Sequence, residues 1–361
     1  MVSPPVLDLS DDVVRLAAAL CDLPSVSGSE TALADAIEEA LAGCGHLTLD
    51  RDGDALVART TLGRGRRVVI AGHIDTVPVK ENLPTRLVGG ELWGRGTVDM
   101  KSGVAVMLHL AARLTEPAWD VTWVFYDHEE VDYTKNGLGR VARKHPKWLK
   151  GDFAILMEPT AAQIEGGCNG TMLVEIGMGG ITAHSARAWR GLNAIHSMAE
   201  ILTTLRDYRA REVEVDGLVY LESLSAVGIH GGIATNMVPD LCTLTINYRF
   251  APSTSVEEAL EHLEEVFSPY ILDLKDAVAG ARPGLDDPLV AEFVAAVTAS
   301  GAEVGPKYGW TDVARFSELG IPAVNYGPGD PMLAHADDER CPTSQIHACA
   351  DALANWLTKG E

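Results

Sequence analysis

The sequence predicts an α/β fold: a mostly parallel sheet flanked by helices, with a smaller α+β unit inserted. Three observations lead there. Short apolar runs alternate with helical patterns through the first half, the middle third is richer in closely spaced strands, and the alternation returns after about residue 280.

Taken in order, "SDDVVRLAAALCDLP" reads as a capped helix stopped by Pro24, and "ETALADAIEEALAGCG" as a helix ended by glycine. "RRVVIAGHID", "VTWVFYDHEE" and "FAILMEPT" are buried-strand patterns, with the helical "SGVAVMLHLAARL" between the first two. In the middle, "TMLVEIGMGG" is a strand, "GLNAIHSMAEILTTLRDYR" one helix, and "LVYLESLSAVGI" and "LCTLTINYRF" two further strands. "STSVEEALEHLEEVF" opens with Ser255 and Glu258 at capping-box spacing. Helix "DPLVAEFVAAVTASG", strand "IPAVNYG" and helix "SQIHACADALANWLTKG" complete the chain. The simplest organisation is one α/β domain from residues 1–170 and 280–361, with 171–279 inserted between them.

At 361 residues the chain can bury a sizeable core. Its net charge of −22, from 51 acids against 29 bases, repels phosphate backbones and anionic lipid, so neither nucleic acid nor membrane is expected as a partner. The N-terminal "MVSPPVLDLSDD" has neither the basic nor the apolar region of a secretion signal. Cysteines 21, 44, 168, 242, 341 and 349 are scattered without a paired spacing, which suits reduced thiols and a cytoplasmic setting.

Four apolar runs lead to the same chemistry. "VVIAG" leads to His73 and Asp75, "GRGTVDMKSG" carries Asp99, "VTWVFYDH" leads to Glu129 and Glu130, and "FAILM" leads to Glu158. Taken singly, each residue has an ordinary reading: a hydrogen-bonded histidine, turn aspartates, a solvated pair of acids, a strand cap. Together they fall at the carboxyl ends of the strands of one sheet, where open α/β sheets bind ligands. Such a density of carboxylates is unfavourable unless cations neutralise it. The nitrogen and oxygen donors suit zinc, with cobalt or manganese as substitutes. Glycines near Asp99 could suggest a phosphate cradle, but no GxGxxG or GKS pattern follows.

With these motifs and the late "AHADDE" in the same order, the chain resembles the di-zinc metallopeptidase superfamily of exopeptidases and N-acyl amino-acid deacylases. The resemblance covers nearly the whole chain. It implies two zinc ions per subunit, one held by His73 and Glu158, the other by Glu130 and His335, with Asp99 bridging them. Met100, Lys101 and Gly103 also fit the family pattern. Asp75, sharing a strand face with His73, would fix the imidazole tautomer. Glu129 would be the general base, pointing away from Glu130 as neighbours at a strand end do, with both Asp75 and Glu129 counted as catalytic. His184 in "ITAHSARAWRG" would donate to the oxyanion, reaching across a homodimer formed by the inserted lid domain. Ala183 stands where relatives carry glycine, and His128, after Asp127, where they often carry an acid; His128 is expected to be a neighbour of the site and not a ligand.

For a substrate carboxylate, Asn236 in "ATNMVPD" and Arg249 in "INYRF" match the family's binding positions, with Arg187 and Arg190 as weaker candidates. "GWTDVARF" and "NYGPGDPMLAH" resemble the desuccinylase branch, where Thr311 would contact substrate by its hydroxyl and Gly327 by its backbone. The resemblance therefore implies hydrolysis of N-succinyl-LL-2,6-diaminopimelate to succinate and LL-2,6-diaminopimelate, a step in lysine and cell-wall precursor synthesis. The alternatives are acetylornithine deacetylation, another N-acyl amino-acid amidohydrolase or carboxypeptidase, and a catalytically silent binding protein.

Overall fold

The computed structural model describes residues 7–359. The first six residues of the segment read as lacking a leader, and the end of the last expected helix at Gly360, lie outside the described residues. Contacts divide the chain into two compact units: one running to Gly166 and resuming at Gly284–Gly305 and from Arg315, the other Gly167–Pro283 with Pro306–Ala314. Residues 306–314, expected with the catalytic part, thus belong to the smaller unit and carry Thr311 with them.

The larger unit is built on an eight-stranded sheet. Its order is Thr48–Asp52, Ala55–Arg59, Asp120–Tyr126, Arg67–His73, Phe153–Leu156, Ala323–Asn325, Ile164–Gly166, Val304–Pro306. Asp120–Tyr126, Arg67–His73, Phe153–Leu156 and Ala323–Asn325 run parallel. They are buried on both faces, which is why they read as unbroken apolar runs without alternation. Helix Lys101–Arg113 is buried along nearly its whole length and packs with Val13–Cys21 and Thr343–Lys359 into one core with the sheet. The flank departs from the expected parallel pattern: Thr48–Asp52 and Ala55–Arg59 form an antiparallel hairpin in which Asp52 faces Ala55. The two-residue loop Gly53–Asp54, with Gly53 at φ 63°, is the turn that "RDGD" encodes, so this hairpin was signalled by its glycine.

In the smaller unit, four antiparallel strands run in the order Ser223–Gly231, Leu241–Phe250, Gly170–Gly179, Asp273–Val278. Strand Leu241–Phe250 alternates strictly, sending Leu244, Ile246, Tyr248 and Phe250 into a core with Ile201, Ala259 and Leu263 from helices Ala199–Asp207 and Val256–Val266. The capping box forms: Glu258 N donates to Ser255 Oγ at 3.2 Å and Ser255 N to Glu258 Oε2 at 2.8 Å. The run around "LVYLESLSAVGI", expected as one strand, is two, Leu218–Leu221 and Ser223–Gly231. Between them lies the fully buried Glu222, whose carboxylate accepts bonds from Arg211 Nε, Tyr248 OH and Ala251 N. The helix expected over 191–209 is likewise divided, into Ala194–Ser197 and Ala199–Asp207.

Candidate metal centre

Parallel strands of one sheet place their carboxyl ends side by side, and here those ends carry the polar groups. His73 is the last residue of its strand, Glu158 follows Phe153–Leu156 by two residues, and Glu129 and Glu130 follow Asp120–Tyr126. Asp99 precedes helix Lys101–Arg113, and His335 comes from the loop before the last helix.

These side chains form three overlapping groups whose donor atoms lie within 4.8 Å of one another: His73, Asp99 and Glu158; Asp99, Glu130 and His335; and His73, Glu129 and Glu130. Asp99 stands between the histidines, with Oδ1 3.1 Å from His73 Nε2 and Oδ2 3.4 Å from His335 Nε2. His335 Nε2 is also 2.9 Å from Glu130 Oε2. Both ring nitrogens that a metal would take therefore face carboxylate oxygens, and the donor set is the nitrogen–oxygen mixture suited to zinc. Five carboxylates, counting Asp75, converge on two imidazoles, an imbalance that divalent cations correct. The residues present fit a two-ion site.

The same imbalance displaces the titrations. Burial disfavours a charged His73, yet Asp75 and Asp99 outweigh it and raise its pKa well above the usual imidazole value. Hydrogen bonding to Asp99 and Glu130 pushes His335 up to about 10. Burial opposes ionisation of Asp99, but the two imidazoles hold its carboxyl well below the usual range. Glu130 moves the other way, raised chiefly by burial. A metal must therefore displace protons from the histidines, so affinity is coupled to pH.

Asp75 is wholly buried and lies beyond the end of its strand. Its carboxylate is 3.5 Å from His73 Nδ1, which sits closer, at 3.1 Å, to Asp75's own main-chain oxygen. Its shorter contacts go elsewhere: Glu129 N donates to Oδ1 at 3.0 Å, and Glu130 N and Ser27 Oγ donate to Oδ2 at 3.1 and 2.6 Å. One buried carboxylate thus fixes the loop that presents both glutamates. The expectation that Glu129 and Glu130 point in opposite directions fails, because both lie past the strand in a loop turned by His128 at φ 58°, and both carboxylates join His73 in one group. His128 itself is in none of the groups; its Nδ1 lies 2.7 Å from Asp127 Oδ2 and its main-chain N donates to Glu30.

Glu339 was missed in the sequence reading, although it ends the quoted "AHADDE". Its Oε1 accepts Val98 N at 2.9 Å and Asp99 N at 3.2 Å, while Oε2 takes Arg95 Nη1 at 2.7 Å, so this buried ion pair grips the loop carrying Asp99. Lys101, 1% exposed, donates to Leu20 O and Leu23 O; burial lowers its pKa to about 8. Gly327 is required by close approach: a Cβ there would lie 2.4 Å from Met157 O and 2.6 Å from Glu158 O. Its N–H donates to Thr160 Oγ1 and its carbonyl accepts from Thr160 and Ala162, so its main-chain groups serve the turn after Glu158.

The remaining candidates lie in the smaller unit. His184 is exposed, and its Nδ1 accepts Ala186 N at 3.1 Å, which leaves the proton of a neutral ring on Nε2. Asn236 is exposed in a turn, and Thr311 is buried. Arg249 is half-buried; its Nε donates to Asn247 Oδ1 at 3.0 Å, and burial lowers its pKa. Arg187 and Arg190 are exposed in the short helix after His184.

A parallel α/β sheet with imidazoles and carboxylates gathered at its carboxyl edge defines the class, a metal-dependent hydrolase. Residues 69–359 match the model of peptidase family M20/M25/M40, and the chain belongs to that family. It is 43% identical over 365 residues to the succinyl-diaminopimelate desuccinylase of Corynebacterium glutamicum, covering 98% of both chains. It is 53% identical over 354 residues to a Mycobacterium tuberculosis protein provisionally given the same name, covering 97% of this chain and 99% of that one. Among solved structures, an M20 family metallo-carboxypeptidase from Sulfolobus solfataricus matches with TM-score 0.77 at 18% identity over 96% of this chain and 98% of that one. A dinuclear metal-binding M20 peptidase of Bacillus subtilis matches with TM-score 0.71 at 16% identity over 96% of each chain. At such identities these structures speak for the fold.

Proposed function

We propose that the chain is a zinc-dependent amide hydrolase that converts N-succinyl-LL-2,6-diaminopimelate and water to succinate and LL-2,6-diaminopimelate. The near full-length identity to the Corynebacterium glutamicum desuccinylase is the observation that carries this substrate. His73 and Glu158 would hold one ion and Glu130 and His335 the other, with Asp99 common to both groups. When bound, the pair supplies Lewis acidity, acidifying water and polarising the amide carbonyl. Glu129 takes the proton of the attacking water, the new C–O bond forms at the succinyl carbonyl, and the C–N bond breaks as Glu129 returns the proton to the leaving amine. His184 donates its Nε2 proton to the developing oxyanion. Arg249, whose guanidinium has no carboxylate partner among the described residues, pairs with a substrate carboxylate, assisted by Asn236 and Thr311.

The enzyme works as a homodimer joined through the smaller unit. Support comes from that unit's edge strand, Ser223–Gly231, which exposes Val227 and Ile229. The six free cysteines favour a cytoplasmic setting, and no helix among the described residues is long and apolar enough to cross a membrane. The deciding experiment compares kcat/KM of the zinc-loaded protein on succinyl-diaminopimelate and acetylornithine. Preference for the acetylated substrate rejects this assignment, and a monomeric active enzyme in gel filtration rejects the dimer.

A further inference from the structure

At the opposite end of the central strands from the metal centre, a cavity of about 520 Å³ is lined by Arg59, Arg64, Arg66, Arg67, Lys147 and Lys150. The chain has 51 acids against 29 bases, so six cations around one hollow run against its general charge. Two carboxylates, Asp120 and Asp152, also reach this cavity, and both are engaged. Asp120 accepts from Thr60 Oγ1, Leu62 N and Arg64 N at 2.8–2.9 Å and lies 3.6 Å from Arg67 Nη2. Asp152 accepts from Arg67 N at 2.7 Å. They pin the 60–67 loop, and Arg59 is paired with Asp50. Among the described residues, the exposed side chains of Arg64, Lys147 and Lys150 have no carboxylate within ion-pair distance.

The result is a concave, net positive pocket with one aromatic wall, Trp148, half-buried and stacked on His145 at 3.9 Å. Concavity favours a small ligand over a flat protein surface. Guanidinium forks together with lysine point charges are the donors that recognise phosphate oxygens. We propose that this cavity binds a small phosphorylated metabolite. The seven-residue strand Arg67–His73 runs from this end to the metal centre, a span of about 20 Å. A ligand here leaves the reaction site open and does not compete with substrate.

The test is isothermal titration of the metal-loaded full chain with fructose 1,6-bisphosphate at low ionic strength, beside the triple variant Arg64→Ala, Lys147→Ala, Lys150→Ala. All three residues are exposed, so the variant folds and keeps its metal content and hydrolytic rate. The proposal expects saturable one-to-one binding that weakens with added salt and falls about tenfold or more in the variant. Absence of saturable binding overturns it. So does equal affinity in wild type and variant, which would put the anion on the metals instead.

Discussion

Replacing Asp75 by asparagine keeps its size and removes one acceptor oxygen. In the native loop, Oδ1 holds Glu129 N at 3.0 Å and Oδ2 holds Glu130 N at 3.1 Å together with Ser27 Oγ. If the new amide nitrogen takes the Oδ1 place, Glu129 N–H faces another donor. If it takes the Oδ2 place, the Ser27 hydroxyl can reverse and accept, but Glu130 N–H is orphaned. Either way one charge-assisted bond is lost, worth about 1.5–3 kcal/mol, and a backbone donor is stranded at a cost of about 1–3 kcal/mol. The two overlap, so we expect about 2–4 kcal/mol less stability in the metal-free protein, read by urea unfolding. Because the affected loop carries Glu130, a loss of about 2 kcal/mol in metal binding corresponds to about thirtyfold weaker affinity, measured by chelator competition. Ser27→Ala, which spares both backbone bonds, costs about 1 kcal/mol. An Asp75→Asn protein with native stability and affinity would show that the carboxylate does not organise this loop.

Glu129→Gln retains metal, by elemental analysis, while turnover falls by about 10²–10⁴-fold; unimpaired turnover removes Glu129 from the mechanism. Glu339→Gln breaks the buried pair with Arg95 and loosens the Asp99 loop, lowering stability by about 3 kcal/mol in urea unfolding with weaker metal binding alongside. For Asp120, burial favours the neutral form, but Leu62 N, Thr60 Oγ1 and Arg64 N outweigh it and lower the pKa. A carboxyl depressed by folding stabilises above its unfolded pKa of about 3.9, and that contribution disappears as pH falls through the folded value. Wild type should therefore be the more stable at neutral pH and converge on Asp120→Asn below about pH 4, in unfolding curves taken across pH. Gly327→Ala drives a methyl against Met157 O and Glu158 O, and should lower both the melting temperature and metal affinity.

Much of the site was legible because the chain writes it locally. A run such as "VVIAGHID" encodes a strand buried on both faces, and a parallel sheet then brings the polar residues after such runs to one edge, so the positions of His73, Glu130 and Glu158 follow from the pattern. The capping box at Ser255 was equally local. The orientation of Glu129 was not legible, because strand alternation ceases at Tyr126 and a left-handed His128 redirects the loop. Nor was the burial of Glu222, whose carboxylate is satisfied by Arg211 and Tyr248 reaching it from other segments.

By itself, then, the sequence determined which residues of this family member could meet: hydrophobic period and strand-end position depend on near neighbours, and those are fixed along the chain. What holds them in place was decided only in three dimensions. Asp75 grips the 129–130 backbone from 54 and 55 residues away, and Glu339 grips Asp99 across 240. The cationic hollow likewise forms only where the 60–67 loop meets residues 147–152. Such contacts turn on loop dihedrals and on which buried donor lacks a partner, and neither has a period for a sequence to display.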